Sequence, residues 1–331
     1  MSIPAPLAAA HSVVDRLRAR LRASVLGRDG VLDQVILALL ADSHVLLEDY
    51  PGSGKTTLAK ALGDSIIDDQ SDDDIVAMRR IQFTPDLLPS DITGTTIFDP
   101  EQQGFFFRPG PLFAHVVLAD EINRTSPKVQ AALLEAMAEK QVTVDNQTRA
   151  LDDLFFVIAT QNPHDFAGTF PLPVAQLDRF LFKIRMVPID RVDERRLLDS
   201  LDAVRRGSDA PKVTRTEILT ARAAIRTHVR LADEIKDAMV DIAQALRGSA
   251  HIAQGVSTRS LVLLVPALQT RALLNRRDHV TDEDLAALCG PVFAHRIQLA
   301  PGAPDADEVV RRVCAPVIEK LTRRLLRPGP R

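Results

Sequence analysis

Pro51-Gly52-Ser53-Gly54-Lys55-Thr56-Thr57 combines small residues, a lysine and two hydroxyls in the order of a phosphate cradle. Glycines at 52 and 54 let backbone amides turn inward around phosphate oxygens, and a helix starting at the end of the loop adds its positive dipole end. In that arrangement Lys55 holds the β- and γ-phosphates of ATP, and the Thr56 hydroxyl reaches Mg²⁺. The full G-x-x-x-x-G-K-[ST] pattern asks for glycine where this chain has Asp49. That departure falls at the loop entrance, away from the expected phosphate contacts.

Two carboxylates supply the next chemistry. Val116-Val117-Leu118-Ala119-Asp120-Glu121 reads as an apolar strand ending in two acids, which a parallel sheet delivers to the edge that holds the cradle. Asp120 would complete the magnesium shell, directly or through water, and Glu121 would polarise the attacking water. A second apolar strand, Phe155–Thr160, runs into Gln161-Asn162-Pro163. Asn162 could orient that water or touch the γ-phosphate; as an Asn before Pro it could equally be a turn former. Arg179, in Gln176-Leu177-Asp178-Arg179-Phe180, could point at a phosphate across a subunit boundary and stabilise transition-state charge there. Arg259, at the start of a helix in Gly255-Val256-Ser257-Thr258-Arg259, could report nucleotide state to a second domain. Arginine is abundant in this chain, so chance placement competes with both readings.

These residues need a scaffold. Ser43–Glu48, Arg79–Phe83, His115–Ala119, Leu154–Thr160 and Leu181–Met186 read as buried strands separated by helical patterns, which predicts a parallel α/β sheet. Beyond Asp190 strand-like runs stop. Lys236–Leu246, Thr258–Asn275 and Asp282–Ile297 read as amphipathic helices, the last opened by Thr281 and three acids. A boundary is therefore expected near 190, with a core over 1–190 and a helical lid over 191–331. The closing Arg323–Arg331 reads as a frayed tail.

The 331 residues carry a net charge of -3, so no global basic field draws the chain to nucleic acid or acidic lipid. Charged residues break up the N-terminal stretch, no apolar run is long enough to span a membrane, and Cys289 and Cys314 show no metal or disulfide spacing. A cytoplasmic location is expected.

Arg80–Gly94 (RIQFTPDLLPSDITG) resembles the MoxR family of AAA+ ATPases. So do Phe107–Pro111, Ala119–Arg124, Gln130–Met137, Ala159–Pro163 and Gln176–Phe180, and the match is dense from about Gly27 to Val187. The resemblance implies a five-stranded parallel P-loop NTPase core with helices on both faces and β-hairpin inserts, followed by an all-α lid. It implies a ring, commonly a hexamer, with ATP or ADP between subunits. Lys55 and Thr56 then match Walker A, Asp120 and Glu121 Walker B, Asn162 sensor 1, Arg179 the arginine finger and Arg259 sensor 2. Val25-Leu26-Gly27 matches a segment that packs near adenine. Such proteins are similar to chaperones that remodel partner proteins, often ones with a von Willebrand factor A domain.

Ile92–Arg108 and Gln141–Leu151 suit β-hairpin inserts. Phe105, Phe106 and Phe107 in the first could be hairpin core or a partner contact. The stretch Asp193–Arg230 is expected to hold an added helix that swings the lid, leaving Arg259 to act on its own nucleotide or a neighbour's. A nucleic-acid-stimulated motor, a non-hydrolysing nucleotide-gated scaffold and a magnesium-chelatase-type subunit are the competing readings. The acidic balance and the candidate loops with few Lys or Arg disfavour nucleic acid. Glu121, Asn162 and Arg179 disfavour the scaffold, and the wording of Arg80–Gly94 favours MoxR over the chelatase.

Overall fold

The computed structural model describes residues 4–48, 53–69, 75–162, 168–201 and 207–325. Asp49, Pro51 and Gly52 of the cradle, and the final residues 326–331, lie outside them. Five parallel strands form the central sheet: β1 (His44–Glu48), β3 (Val76–Gln82), β6 (Ala114–Asp120), β9 (Phe156–Gln161) and β10 (Phe180–Arg185). Their spatial order is β10-β1-β9-β6-β3. All four pairings are parallel, so every strand ends at the same edge.

Period-two alternation divides the strand side chains between two apolar layers. Val45, Leu47, Val116, Leu118, Phe156 and Ile158 face α1 (Ala5–Ser24), α2 (Asp29–Leu40) and α3 (Lys55–Asp64). Leu46, Val117, Ala119, Val157 and Ala159 face α5 (Pro127–Glu139). Both faces of the sheet are buried, which is why its strands read as near-continuous apolar runs.

Beyond β10 the chain is mostly helical, in α7 (Arg191–Asp199), α8 (Arg215–His228), α9 (Asp233–Gly248), α10 (Thr258–Leu274), α11 (Asp282–Phe293) and α12 (Ala306–Leu325). The added helix expected within 193–230 is α7 together with α8. The carboxylate of Asp284 accepts from Thr281 N at 3.0 Å, closing the start of α11 as its acids predict. The expectation that strands cease after Asp190 holds for the main sheet only. Val213–Thr214 (β11) pairs with Ile66–Ile67 (β2), and Ile252–Gln254 (β12) with Gln298–Leu299 (β13). Runs of two or three residues are too short for alternation to register. α12 reaches Leu325, so Arg323 and Arg324, expected in a frayed tail, are helical. Its broken apolar pattern around Pro316 hid it.

Both inserts are hairpins. β4 (Gly94–Asp99) pairs antiparallel with β5 (Gly104–Pro109), and β7 (Gln141–Val144) with β8 (Gln147–Ala150). Asp145 and Asn146 both take positive φ, the primed turn that a two-residue hairpin prefers. Of the three phenylalanines weighed as hairpin core, Phe107 is packed: its ring meets Phe113 at 5.6 Å, and the Arg149 guanidinium covers it at 3.9 Å. Phe105 is 76% exposed and Phe106 47%: alternation sends them to opposite faces of the hairpin, and so far out from the core neither face is covered.

His44 gives this core a pH dependence. Its Nδ1 accepts from Val157 N at 3.1 Å and its Nε2 faces Met137 O at 3.2 Å, an arrangement that fixes the neutral ring with its proton on Nε2. Burial lowers its pKa to about 4. The unfolded chain takes up this proton from about pH 6.5 downward and the folded chain only near 4, so stability is lost as pH falls through that window. The steepest slope is about 1.4 kcal/mol per pH unit for one such group. Urea midpoints should therefore drop between pH 6.5 and 5, and less so in His44→Gln. Identical slopes for the two proteins would remove His44 as a cause.

Candidate nucleotide site

α3 begins at Lys55 directly after the loop that follows β1. Gly54 precedes it at φ 92°, where a Cβ would be strained although nothing lies within 4 Å of the position it would take. No side chain caps α3. The Ser53 hydroxyl is buried and has no hydrogen-bond partner among the described residues. First-turn amides without a side-chain cap, open space beside Gly54 and a buried hydroxyl without a partner fit a phosphate. Thr56 and Thr57 follow in the first turn, Thr57 exposed.

At the same edge β6 delivers Asp120, 7% exposed, and Glu121. The Thr160 hydroxyl at the end of β9 binds both: it donates to Asp120 Oδ1 at 2.6 Å and accepts from Glu121 N at 2.9 Å. Asp120 Oδ2 accepts from Arg80 Nη2 at 2.7 Å, an ion pair that compensates a nearly buried carboxylate. Glu121 sits in the left-handed region, φ 59° and ψ 48°. Its Oε2 accepts from Gln82 Nε2 at 3.0 Å and pairs with Arg124 Nε at 3.1 Å. Strain at a non-glycine residue held by three neighbours marks a place where orientation is over-determined. Asn162 follows β9, and its carbonyl lies 3.5 Å from Asn123 Nδ2.

The loop's base is braced by Glu48, whose Oε1 accepts from Gln161 Nε2 at 2.6 Å and pairs with Lys183 Nζ at 2.8 Å. Val25, Leu26 and Gly27 join α1 to α2 near this edge. Arg28 Nη1 donates to Val187 O just past β10, and a Cβ on Gly27 (φ 68°) would meet Asp193 Oδ2 at 2.6 Å. Only glycine permits that approach of α7.

The two arginines lie elsewhere. Arg179 precedes β10 at the opposite end of the sheet, since Phe180 pairs with His44 at the start of β1 whereas the cradle follows its end. The five residues of β1 separate the two ends by roughly 17 Å. Arg179 lines an open cleft against Ala131, Glu135 and Glu139 of α5, and its buried Nε has no hydrogen-bond partner among the described residues. Arg259 is exposed in the first turn of α10. The Ser257 hydroxyl, two residues earlier, donates to Asp178 Oδ2 at 2.7 Å, so Arg259 stands at the Arg179 end.

Residues 44–182 match the family model for ATPases associated with various cellular activities (AAA), and 244–313 match an AAA lid domain. The chain is 42% identical to the Bacillus subtilis protein YeaC, itself uncharacterized, over 93% of this chain and 95% of that one. It is 33% identical to the chaperone MoxR1 of Mycobacterium tuberculosis over 92% of this chain and 80% of that one. With protein MoxR of Methylorubrum extorquens it shares 30% over 86% and 88%. The chain belongs to the MoxR family of AAA+ ATPases. A crystal structure of a candidate ATPase from Cytophaga hutchinsonii superposes with a TM-score of 0.80 at 31% identity, covering 96% of both chains. The MoxR core and lid therefore carry the five-stranded sheet and helices that the sequence leads one to expect. No helix among the described residues is long and apolar enough to cross a membrane.

Within this MoxR fold the sequence left Arg80, Gln82, Arg124 and Thr160 without roles. Thr160 carried one readable signal, a hydroxyl ending an apolar strand. The other three act through cross-strand register and a short 3₁₀ turn, which a single sequence does not display.

Proposed function

We propose that this chain hydrolyses ATP to ADP and phosphate as a subunit of a ring, commonly a hexamer, and uses the cycle to remodel a client protein. The observation that carries the reading is the division of the site between two ends of one sheet. Lys55, Thr56, Asp120, Glu121 and Asn162 gather at the strand C-termini, while Arg179 and Arg259 stand at the other end. A neighbouring subunit is needed to unite them.

Lys55 binds the β- and γ-phosphates, with Pro51, Gly52, Ser53, Gly54 and Thr57 forming the rest of the cradle and Val25–Gly27 packing near adenine. Thr56 and Asp120 are the residues that would hold Mg²⁺, which when bound neutralises phosphate charge. Glu121 acts as general base towards a water that Asn162 orients. Arg179 and Arg259 of the adjoining subunit stabilise charge on the transferring phosphoryl group, which assigns Arg259 a trans role. Phe98 and Phe105 pair across the first hairpin as an exposed apolar patch, their rings 5.2 Å apart, and Phe106 is exposed on its other face, which favours a protein client over nucleic acid. The name of the mycobacterial relative, a chaperone, points the same way, and a von Willebrand factor A protein is the partner class the family resemblance implies.

Turnover per subunit should rise with protein concentration and level off once assembly is complete. Phosphate release followed over a dilution series, beside sedimentation of the same samples, tests this. Constant specific activity in samples that sediment as monomers would overturn the shared site.

A further inference from the structure

The buried Nε of Arg179 has no hydrogen-bond partner among the described residues, yet the chain on either side of it is gripped by one lid residue. Arg296 is 2% exposed. Its Nε donates to Asp178 Oδ1 at 2.8 Å, and its Nη1 donates to Leu181 O at 3.1 Å and to Val292 O. Its Nη2 donates to Phe180 O and, at 3.4 Å, to Asp178 O. The residues before and after Arg179 thus hang from the same guanidinium. Asp178 also accepts from the Ser257 and Ser260 hydroxyls, at 2.7 and 3.0 Å, which flank Arg259 in the first turn of α10. Ser257 is the cap of that helix, its Oγ accepting from Ser260 N.

We propose that Asp178 is a positioning residue that joins Arg179 and Arg259 into one rigid two-arginine element, with Arg296 as its lid-side clamp. A planar guanidinium bonded to four backbone carbonyls and one carboxylate fixes orientation as well as distance, which a lysine could not do. The lid therefore cannot turn about the core without turning the backbone that aims Arg179. This rests on the reading that Arg179 serves a neighbour's nucleotide.

Asp178→Asn keeps the size and an acceptor for the serines but removes the charge facing Arg296. It should leave ATP affinity within about 3-fold and assembly unchanged while lowering kcat on the order of 10- to 100-fold, the scale of a small misplacement of a charged group. Mixing it with Lys55→Ala should restore part of the turnover, because each variant supplies the half-site the other lacks. A merely structural lesion in the variant's own cradle would not be rescued. Unchanged kcat, or loss of ATP affinity in step with kcat without rescue, overturns the proposal. If Arg179→Ala is rescued by Lys55→Ala and Asp178→Asn is not, the positioning role fails alone; if neither is rescued, the trans reading of Arg179 fails and takes this inference with it. Should Asp178→Asn not fold, Ser260→Ala removes one hydroxyl without unpairing the buried guanidinium. It should lower kcat about 3-fold with the same rescue, and wild-type kcat there overturns the proposal equally.

Discussion

Glu121→Gln should release phosphate on the order of 10²- to 10⁴-fold more slowly than the native chain, the range general-base catalysis contributes, while ATP binding stays within a few-fold. The substitution keeps the shape of the side chain but removes its ability to take a proton. The backbone at 121 is fixed independently of the carboxylate, by the bond from its own amide to Thr160 Oγ1, so the loss should not spread to the cradle. Gln82 and Arg124 both direct donors at Oε2, and an amide oxygen can still accept them. Phosphate release and equilibrium ATP binding on the same preparation separate the two effects. Turnover equal to the native chain would end the assignment of Glu121 as base. A variant that holds ATP without spending it is also the form with which to capture a client, and a pull-down in ATP would reveal a von Willebrand factor A partner.

Arg179→Ala should bind ATP normally and turn it over on the order of 10³-fold more slowly, as expected when an arginine is withdrawn from a transferring phosphoryl group. The decisive result is in the mixture. Lys55→Ala has no working cradle but keeps its arginines; Arg179→Ala has the reverse. Where a Lys55→Ala subunit presents Arg179 to the intact cradle of its neighbour, turnover should return at that interface, so the mixture should exceed both parents. A mixture no more active than its parents would show that Arg179 serves its own chain. The sheet argues otherwise, because the residue precedes β10 and the cradle follows β1, at opposite ends of parallel strands.

That topology was partly legible in the sequence. The cradle and the paired acids announce themselves because each occupies a contiguous stretch whose neighbours, an apolar strand and a helix, are also contiguous. The five strands were visible because both faces of the sheet are buried. What a linear reading could not supply was which ends meet. Arg80 compensates Asp120, 40 positions away, only because β3 lies beside β6. Arg296, among many arginines of a helical region, gave no sign that it would bind the chain around Arg179. Phe105 and Phe106 misled for a related reason: apolar residues in a hairpin read as core until the layer beneath them is known to be missing.

The seam between α1 and α8 bears on how the protein is made. Leu7, Val13, Val14, Leu17 and Leu21 of α1 are buried, and Ile218, Ala221 and Ile225 of α8 belong to the same apolar cluster. Arg16 pairs with Glu217 across 201 positions of chain. At ordinary rates of synthesis the ribosome needs roughly 10 to 40 s to cover that distance. For that interval α1 can bury its apolar stripe only against α2 and α3, and the part that α8 covers waits for a segment not yet translated.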